Sequence, residues 1–529
     1  NGLQDCRTPH LLPFSPFHFR RSFIRRMTEK TDETRPDISQ SWGGHLMSGA
    51  FWMIALRWAI RLTGVVSTII LARLLAPHDF GIVAMAMIVV GSLEIFSQTG
   101  QLLVLIRMKD PTRQHYDSAW TISVLIGVAI ALAILLVSPL TVDYFKEPLV
   151  VPVMQCLALR ALLGGVENVG TIDFRRDLKF NRFFAYNVYP KLISFVVTIG
   201  AAIIWRNYWA LVAGILTGQV VKLVLSYTMH PYRPRFTLSA VGDIWSFSIW
   251  TFIRSIGGYL QTQIDQIAVG GIAGAAAMGR YAVASDVAAS PSREINEPMV
   301  AVLYPVMSRL LHDPKALRDV FLRTLGWTTV ICVSASVGVA LVADDMVPLL
   351  LGAKWDGIAP LMGWLAIGAG LMGMSSGAYS LFDALGKPQI GARMMWIRVA
   401  IMAGTVVPVA FLTHSLMNVA IVRAFAAAVF LPGLYYAVAK PTGLTLGNYV
   451  STQWRPFVAA GVMAAAVLGV NMFVTHPGVV RLLVDVVVGA LTFGGALLGL
   501  WALSGRPAAP ESDILASLRR AVGLVARLR

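Results

Sequence analysis

Apolar runs long enough to cross a membrane recur along this chain from residue 46 to residue 503. About 20 apolar residues in a helix cross a hydrocarbon core of ~30 Å. The composition agrees, because 56% of the 529 residues are hydrophobic and only 14% are charged. The sequence therefore predicts an all-α polytopic membrane protein and excludes a soluble multidomain chain.

The apolar runs divide into fourteen predicted spans, of which the eighth is the least regular because Pro291 and Pro298 flank a charged cluster. The predicted spans lie near 47–72, 80–104, 118–140, 149–171, 183–205, 208–228, 244–271, 279–306, 320–343, 357–381, 390–412, 416–438, 455–474 and 479–503.

The basic residues of the connecting loops predict an orientation. Loops after even-numbered spans carry fourteen Lys and Arg residues, whereas loops after odd-numbered spans carry five. By the positive-inside rule, this bias places both termini in the cytoplasm. The basic loops also account for most of the net charge of +16. The rest comes from basic tails, which we expect to lie near anionic lipid. The sequence shows no basic folded module of the kind that binds nucleic acid, so no nucleic-acid partner is predicted.

An internal repeat relates the two halves of the chain. A shift of 198 residues places Trp52 on Trp250 and Gly81 on Gly279, in segments with the same layout of span, turn, glycine and span. Such repeats commonly place a substrate site at their interface. The predicted regions are a cytoplasmic tail at 1–45, an N-lobe of spans 1–6 at 46–230, a C-lobe of spans 7–12 at 231–440, spans 13–14 at 441–503, and a cytoplasmic amphipathic tail at 504–529.

Neither the start of the chain nor the cysteines indicate a targeting signal or a reactive site. Residues 1–26 lack the apolar core of a signal peptide, and Met27 opens a polar stretch. We therefore expect Met27 to be the natural start and 1–26 to be an extension. The three cysteines show no spacing that indicates a metal site or a disulfide framework.

Three stretches resemble a known family. ILARLLAPHDFGIVAMAMIV at 70–89, GRYAVASDVAASPSREINEPMVAVLYPVMSRL at 279–310 and DALGKP at 383–388 are similar to bacterial polysaccharide flippases. These belong to the multidrug/oligosaccharidyl-lipid/polysaccharide exporter superfamily. The resemblance covers roughly residues 40–500. It implies two lobes in a V shape that open alternately to either side, and an undecaprenyl-diphosphate-linked oligosaccharide as cargo.

Two arginines lie deep inside the first predicted span. At 1.5 Å per residue, Arg57 and Arg61 lie ~16 and ~22 Å from a start near residue 46. Charges at this depth usually face a bundle interior or a watery cavity. A guanidinium suits the forked geometry of a phosphate, so the pair predicts a diphosphate site. The alternative is that both arginines pair with acids on other helices.

Further charged residues inside the spans extend the predicted site. Arg254 lies one position from the repeat counterpart of Arg57, so each half offers an arginine at similar depth. The predicted cargo-binding residues are Arg57, Arg61, Arg254, Lys191 and Arg293. The candidates for ion coupling are Asp265, Glu94 and Asp286.

Several of these residues have alternative interpretations. Asp265 could equally be the partner of Arg254, and Arg398 and Arg423 are interpreted as partners of acids. Arg293 and Glu294 are adjacent, so we expect them to serve different neighbours.

Two motif matches in span 10 carry no enzymatic prediction. Gly368, Gly370 and Gly373 fit GxGxxG, and residues 373–377 fit GxSxG. Neither has the strand–turn–helix setting that its chemistry needs. A membrane helix rich in glycine and alanine is more often a close packing surface.

The predicted function is transport of the lipid-linked oligosaccharide across the bacterial inner membrane by alternating access, without enzymatic activity, for exopolysaccharide, capsule or O-antigen (lipopolysaccharide) synthesis. We expect no cofactor, and the energy source is either coupling to H⁺ or Na⁺ or downstream consumption of the cargo. The expected partners are the cargo, membrane lipids, a polysaccharide polymerase and export machinery. The alternatives are a drug or metabolite antiporter of the same superfamily and a polytopic polysaccharide polymerase.

Overall fold

The computed structural model describes residues 38–97, 105, 108, 111–242, 248–473, 478–506 and 511–512. Residues 1–37 and 513–529, which hold the predicted N-terminal extension and most of the predicted amphipathic tail, lie outside this range. Helices α1–α6 form the first half of the described chain: Ile38–Leu74, Pro77–Glu94, Arg113–Val137, Val150–Gly165, Phe180–Trp205 and Trp209–Met229.

The second half begins with the helical element Ser248–Arg309, which Gly274 breaks into α7 (248–273) and α8 (275–309). Gly274 has φ 70° and ψ 170°, a conformation that glycine adopts without steric cost. The later helices are α9 (Pro314–Met346), α10 in two parts (Ala359–Gly373 and Ser376–Ala384), α11 (Pro388–Thr413), α12 (Leu416–Thr442), α13 (Leu446–Asn471) and α14 (Val479–Leu503).

Local sequence signals explain where these helices begin and end. The Asp313 side chain caps α9 by accepting from the backbone N–H groups of Lys315 and Ala316, and Pro314 occupies the first turn. At its other end, α12 stops at Gly443, which has φ 69°.

The number of membrane spans stays a prediction. Among the described residues, twelve helices are long and apolar enough to cross a membrane, and a thirteenth span results if Val150–Gly165 and Val169–Arg176, bent by 71°, count as one. The segment Ser255–Glu294 counts there as a single helix of 40 residues, although it contains the break at Gly274. The predicted count of fourteen treats α7 and α8 as separate spans.

Two buried apolar cores organise the helices. The larger core takes residues from both halves of the chain, including Ile82, Met154, Tyr281 and Trp355. The second core joins the C-terminal half to α13 and α14 through residues such as Phe321 and Tyr449. The last two helices therefore pack on the C-lobe, while α14 exposes apolar side chains such as Leu491, as a lipid-facing helix does.

Helices α2 and α8 cross with their backbones in contact. A methyl group added at Gly81 would lie 1.7 Å from the carbonyl oxygen of Ala275, and one added at Gly279 would lie 1.8 Å from that of Pro77. The shift of 198 residues converts one contact into the other, because it places Pro77 on Ala275 and Gly81 on Gly279. We call this region, defined by these four residues, the closed end of the lobe interface.

Further contacts fasten the two lobes beside the closed end. The indole N–H of Trp355, a fully buried residue, donates to the carbonyl oxygen of Ala72 at 2.9 Å, and the ring packs edge-on against Phe80. Arg73 donates to the backbone of Leu349, and Lys354 donates to the carbonyl oxygen of Arg73 at 3.2 Å. All three of these hydrogen bonds use backbone carbonyl oxygens as acceptors, so they fix the position of the helix ends.

Candidate functional site

Arg57 and Arg61 on α1 both pair with Glu294 on α8. The Arg57 Nε lies 3.6 Å from one carboxylate oxygen, and the Arg61 Nε lies 3.3 Å from the other. The side chains are 32%, 19% and 24% exposed, respectively. One carboxylate of the C-lobe thus joins two arginines of the N-lobe, and we call these three residues the charged end of the interface.

The charged end lies far from the closed end along both helices. At 1.5 Å per residue, Arg61 is about 20 Å and Arg57 about 26 Å from the end of α1 at Leu74, and Glu294 is about 30 Å from Gly274. The separation of the charged end from the closed end, about 20–30 Å along the helices, approaches the ~30 Å thickness of a hydrocarbon core. The two groups of interlobe contacts therefore lie well apart along the direction of the helices.

In the N-lobe interior, an ion pair joins α2 to α4. Arg160 Nη1 lies 3.1 Å from a carboxylate oxygen of Glu94, and both side chains are about a quarter exposed. The sequence analysis missed Arg160, although it lies in the apolar run QCLALRALLGG and the argument applied to Arg57 fits it equally. Glu94 therefore has a cationic partner in this conformation.

The C-lobe interior holds a buried ion pair between α7 and α12. Arg423 donates to Asp265 at 2.6 Å, and the Tyr281 hydroxyl donates to the same carboxylate at 2.7 Å. Arg423 also lies 3.3 Å from the Ser285 hydroxyl. Asp265 is 2% exposed and Arg423 is 9% exposed, so this network is shielded from solvent.

The remaining predicted residues do not converge on one point. Arg293 lies 3.7 Å from Asp286 on the same helix, and both side chains are about half exposed. Lys191 is exposed on α5. The Arg254 side chain lies outside the described residues, so its relation to Asp265 stays a prediction.

The structure therefore brings Arg57 and Arg61 together with Glu294, a residue that the sequence analysis noted but did not place in the site. This arrangement corresponds to the alternative in which the arginines pair with acids. Within the described part of the chain, no cluster of three or more His, Cys, Asp or Glu side chains could hold a metal ion. The chemistry available at the charged end is recognition of an anion by guanidinium groups.

Comparison with known proteins identifies relatives of this chain by sequence. The family described as polysaccharide biosynthesis protein matches residues 70–360. The lipopolysaccharide biosynthesis protein WzxC of Escherichia coli (strain K12) is 24% identical over 422 residues, which cover 78% of this chain and 84% of WzxC. The succinoglycan biosynthesis transport protein ExoT of Rhizobium meliloti (strain 1021) is 24% identical over 412 residues, covering 75% of this chain and 81% of ExoT.

Several solved structures share the fold, among them a flippase and a multidrug transporter. The lipid II flippase MurJ in an inward closed conformation has a TM-score of 0.67 at 12% identity, covering 86% of this chain and 99% of MurJ. An inward-facing multidrug resistance MATE family transporter has a TM-score of 0.54 at 14% identity, covering 73% of this chain and 98% of the transporter. At these identities the likeness shows the fold alone.

Proposed function

This chain belongs to the polysaccharide biosynthesis protein family, and on that premise we propose that it flips undecaprenyl-diphosphate-linked oligosaccharide repeat units across the bacterial inner membrane. The transport name of the relative ExoT, the lipopolysaccharide biosynthesis name of WzxC and the fold shared with the lipid II flippase MurJ support a transporter that catalyses no reaction. The exported product is an exopolysaccharide, a capsule or an O-antigen.

The observation that carries this proposal is the shared carboxylate of the charged end. Glu294 occupies the position where two guanidinium groups can reach one anion, within 3.6 Å of each. An ion pair between a partly exposed arginine and a partly exposed carboxylate contributes only ~0–1 kcal/mol to stability, because water competes for both charges. A diphosphate offers more charge and more acceptor oxygens in the same forked geometry, so it can displace Glu294.

In this mechanism Glu294 acts as an internal substitute for the cargo. With no cargo bound, it joins the arginines of the N-lobe to α8 of the C-lobe. The arriving diphosphate takes over Arg57 and Arg61, which releases Glu294 and removes an attraction between the lobes at the charged end. The lobes then separate there or rock about the site, and the glycan passes through the hydrated space between them.

The direction of transport follows from the predicted orientation. The basic loops at 175–182 and 309–318 support an orientation with the charged end toward the cytoplasm and the closed end toward the outside. The cargo diphosphate would thus be captured from the cytoplasm. The lipid tail remains in the bilayer beside α13 and α14, and a polymerase takes the product outside.

The energy source belongs to the same proposal. Coupling to H⁺ or Na⁺ would use Asp265, Glu94 or Asp286, without a cofactor. In this conformation Asp265 is held by Arg423 and Glu94 by Arg160. Ion binding at either carboxylate would therefore have to release an arginine, which links ion occupancy to a change of helix packing.

Replacing Arg57 and Arg61 together by Ala tests the cargo site. We expect the double variant to reach the membrane at a normal level and to fail to restore polysaccharide export in a deletion strain. Lys at both positions should restore export in part, because the charge remains while the fork is lost. Arg393→Ala, an exposed arginine on α11, is the matched control. Normal polymer from a well-expressed double-Ala variant would overturn the proposal.

Cysteine labelling tests the orientation separately. In intact cells an impermeant maleimide should miss cysteines placed at Lys179 and His312 and should reach one placed at Asp356, all of which are exposed positions. The reverse pattern would contradict the direction of transport.

A further inference from the structure

Helix α10 is interrupted inside the C-lobe. Its first part ends at Gly373 and its second part begins at Ser376, so Met374 and Ser375 connect two helices. The second part has nine residues, and the N-terminus of such a helix presents backbone N–H groups and the positive end of the helix dipole. The break coincides with the GxSxG match at 373–377, for which the sequence offered only a packing role.

Arg398 of α11 points at this break. Its side chain is almost entirely buried, with a residue exposure of 2%, and Nη1 lies 3.3 Å from the Ser375 hydroxyl at the start of the second part of α10. The guanidinium also stacks over the Phe430 ring at 5.5 Å. Nε and Nη2 are buried, and the one further described side chain within hydrogen-bonding reach of the guanidinium is Tyr379.

Other buried polar groups surround the same break. The Tyr379 hydroxyl, one turn into the second part of α10, is buried and lies within hydrogen-bonding reach of the Arg398 guanidinium, from which its oxygen can accept while its own O–H remains available. From α8, the Asn296 amide donates to the Gly373 carbonyl oxygen and to the Ser376 hydroxyl, both at 3.0 Å. The Tyr379 O–H and those Arg398 N–H groups that face neither Ser375 nor Tyr379 remain available as donors.

The local charges do not cancel. Arg423 is the other charged side chain that acts on Arg398, and Asp265 is the partner of Arg423. Two guanidinium groups and one carboxylate leave one positive charge, and no carboxylate of the described residues pairs with Arg398. An uncompensated buried charge is strongly destabilising, so a group with this burial calls for a counterion.

We infer that the break of α10 is a binding site for a small monovalent anion such as chloride, held by Arg398, Tyr379 and the N-terminus of the second part of α10. The available groups of Arg398 and Tyr379 donate and Arg398 carries a positive charge, which suits an anion rather than a metal cation; the unpartnered acceptor at the break is the Asn296 Oδ1. Because Arg398 is almost entirely buried, the site can take a small ion and cannot admit the diphosphate of a lipid-linked cargo. The inference does not depend on the proposed transport function.

Chloride-dependent stability tests the site on the full-length protein in detergent. The Tm, followed by tryptophan fluorescence, is measured as sodium gluconate is replaced by sodium chloride at constant ionic strength. We expect the Tm to rise and saturate, because a ligand that binds only the folded state stabilises it. Arg398→Gln should remove the rise, and Arg393→Gln, on the same helix but exposed, should keep it.

An equal Tm in chloride and gluconate, or a full chloride response in Arg398→Gln, would overturn the inference. Should Arg398→Gln fail to fold, Tyr379→Phe provides the second test, since it removes one donor and keeps the ring. We expect this variant to need about tenfold more chloride to reach half of the effect, as a hydrogen bond to an ion is lost. An unchanged midpoint would count against the site.

Discussion

At the closed end the two lobes meet backbone against backbone, whereas at the charged end they meet through side chains that water reaches. The contacts of Gly81 and Gly279 leave no space for even one added methyl group. The three side chains of the charged end are between 19% and 32% exposed. The closed end therefore depends on shape, which tolerates no substitute, and the charged end depends on charge, which another anion can replace.

The largest expected effect comes from disrupting the shape of the closed end. In Gly279→Leu the side chain would overlap the Pro77 carbonyl, where an added methyl carbon would already lie 1.8 Å away. Overpacking of this kind forces backbones apart. We expect loss of polysaccharide export and rapid labelling of a cysteine at the buried Leu75.

Gly200→Leu on α5 is the control, because a methyl group there would meet no atom within 4 Å. The repeat symmetry further predicts that Gly81→Leu has the same phenotype as Gly279→Leu. Full export by either variant would show that the close contact is dispensable.

A buried ion pair should behave unlike the exchangeable pairs of the charged end. Asp265→Asn leaves the buried Arg423 guanidinium without its carboxylate, so we expect a loss of about 3–5 kcal/mol in stability. The measurement is the Tm in detergent, together with the amount of protein in membranes.

Combining Asp265→Asn with Arg423→Gln should recover part of that stability, because both charges are then absent. A stable single variant that binds cargo but no longer responds to an ion gradient would instead support a coupling role for Asp265.

The sequence predicts the fold more completely than it predicts the candidate site. Span-length apolar runs predict helices because the membrane imposes one length and one hydrogen-bonding solution on each segment. The partner of Arg61 is a carboxylate 233 positions away in the chain, and no local pattern identifies it. The shift of 198 residues was visible in the sequence, but the contact of Gly81 with Ala275 needs the arrangement of the lobes. Arg160 was within reach of the same reasoning and was overlooked.

A smaller effect is expected from weakening one hydrogen bond beside the closed end. Trp355→Phe keeps an aromatic ring against Phe80 and leaves the Ala72 carbonyl oxygen without its donor. We expect a cost of about 1–3 kcal/mol, seen as faster labelling of the cysteine at Leu75. Trp364→Phe, on α10, should leave the labelling rate unchanged. Equal rates in all three proteins would show that the bond does not hold this end closed.

The smallest effect is the response of the two ends to salt. Raising sodium gluconate from about 0.1 M to about 1 M shortens the Debye length from ~10 Å to ~3 Å. We expect spin labels at Lys179 and His312, on the side of the charged end, to show a broader distance distribution. Labels at Asp143 and Asp356, beside the closed end, should not change. An equal response at both ends would contradict the distinction between shape and charge.

The glycine crossing of α2 and α8 also has an electrical consequence. A carrier for a large, hydrated glycan must not let protons leak while its other face stands open, since the cell's ion gradient would then be lost. Protons pass along files of hydrogen-bonded water, and such a file needs a gap about one water molecule wide. Helices whose backbones touch at Gly81 and Gly279 leave no such gap between them. Between α2 and α8, two residues without side chains thus close a path for water that any larger residue would open by holding the helices apart.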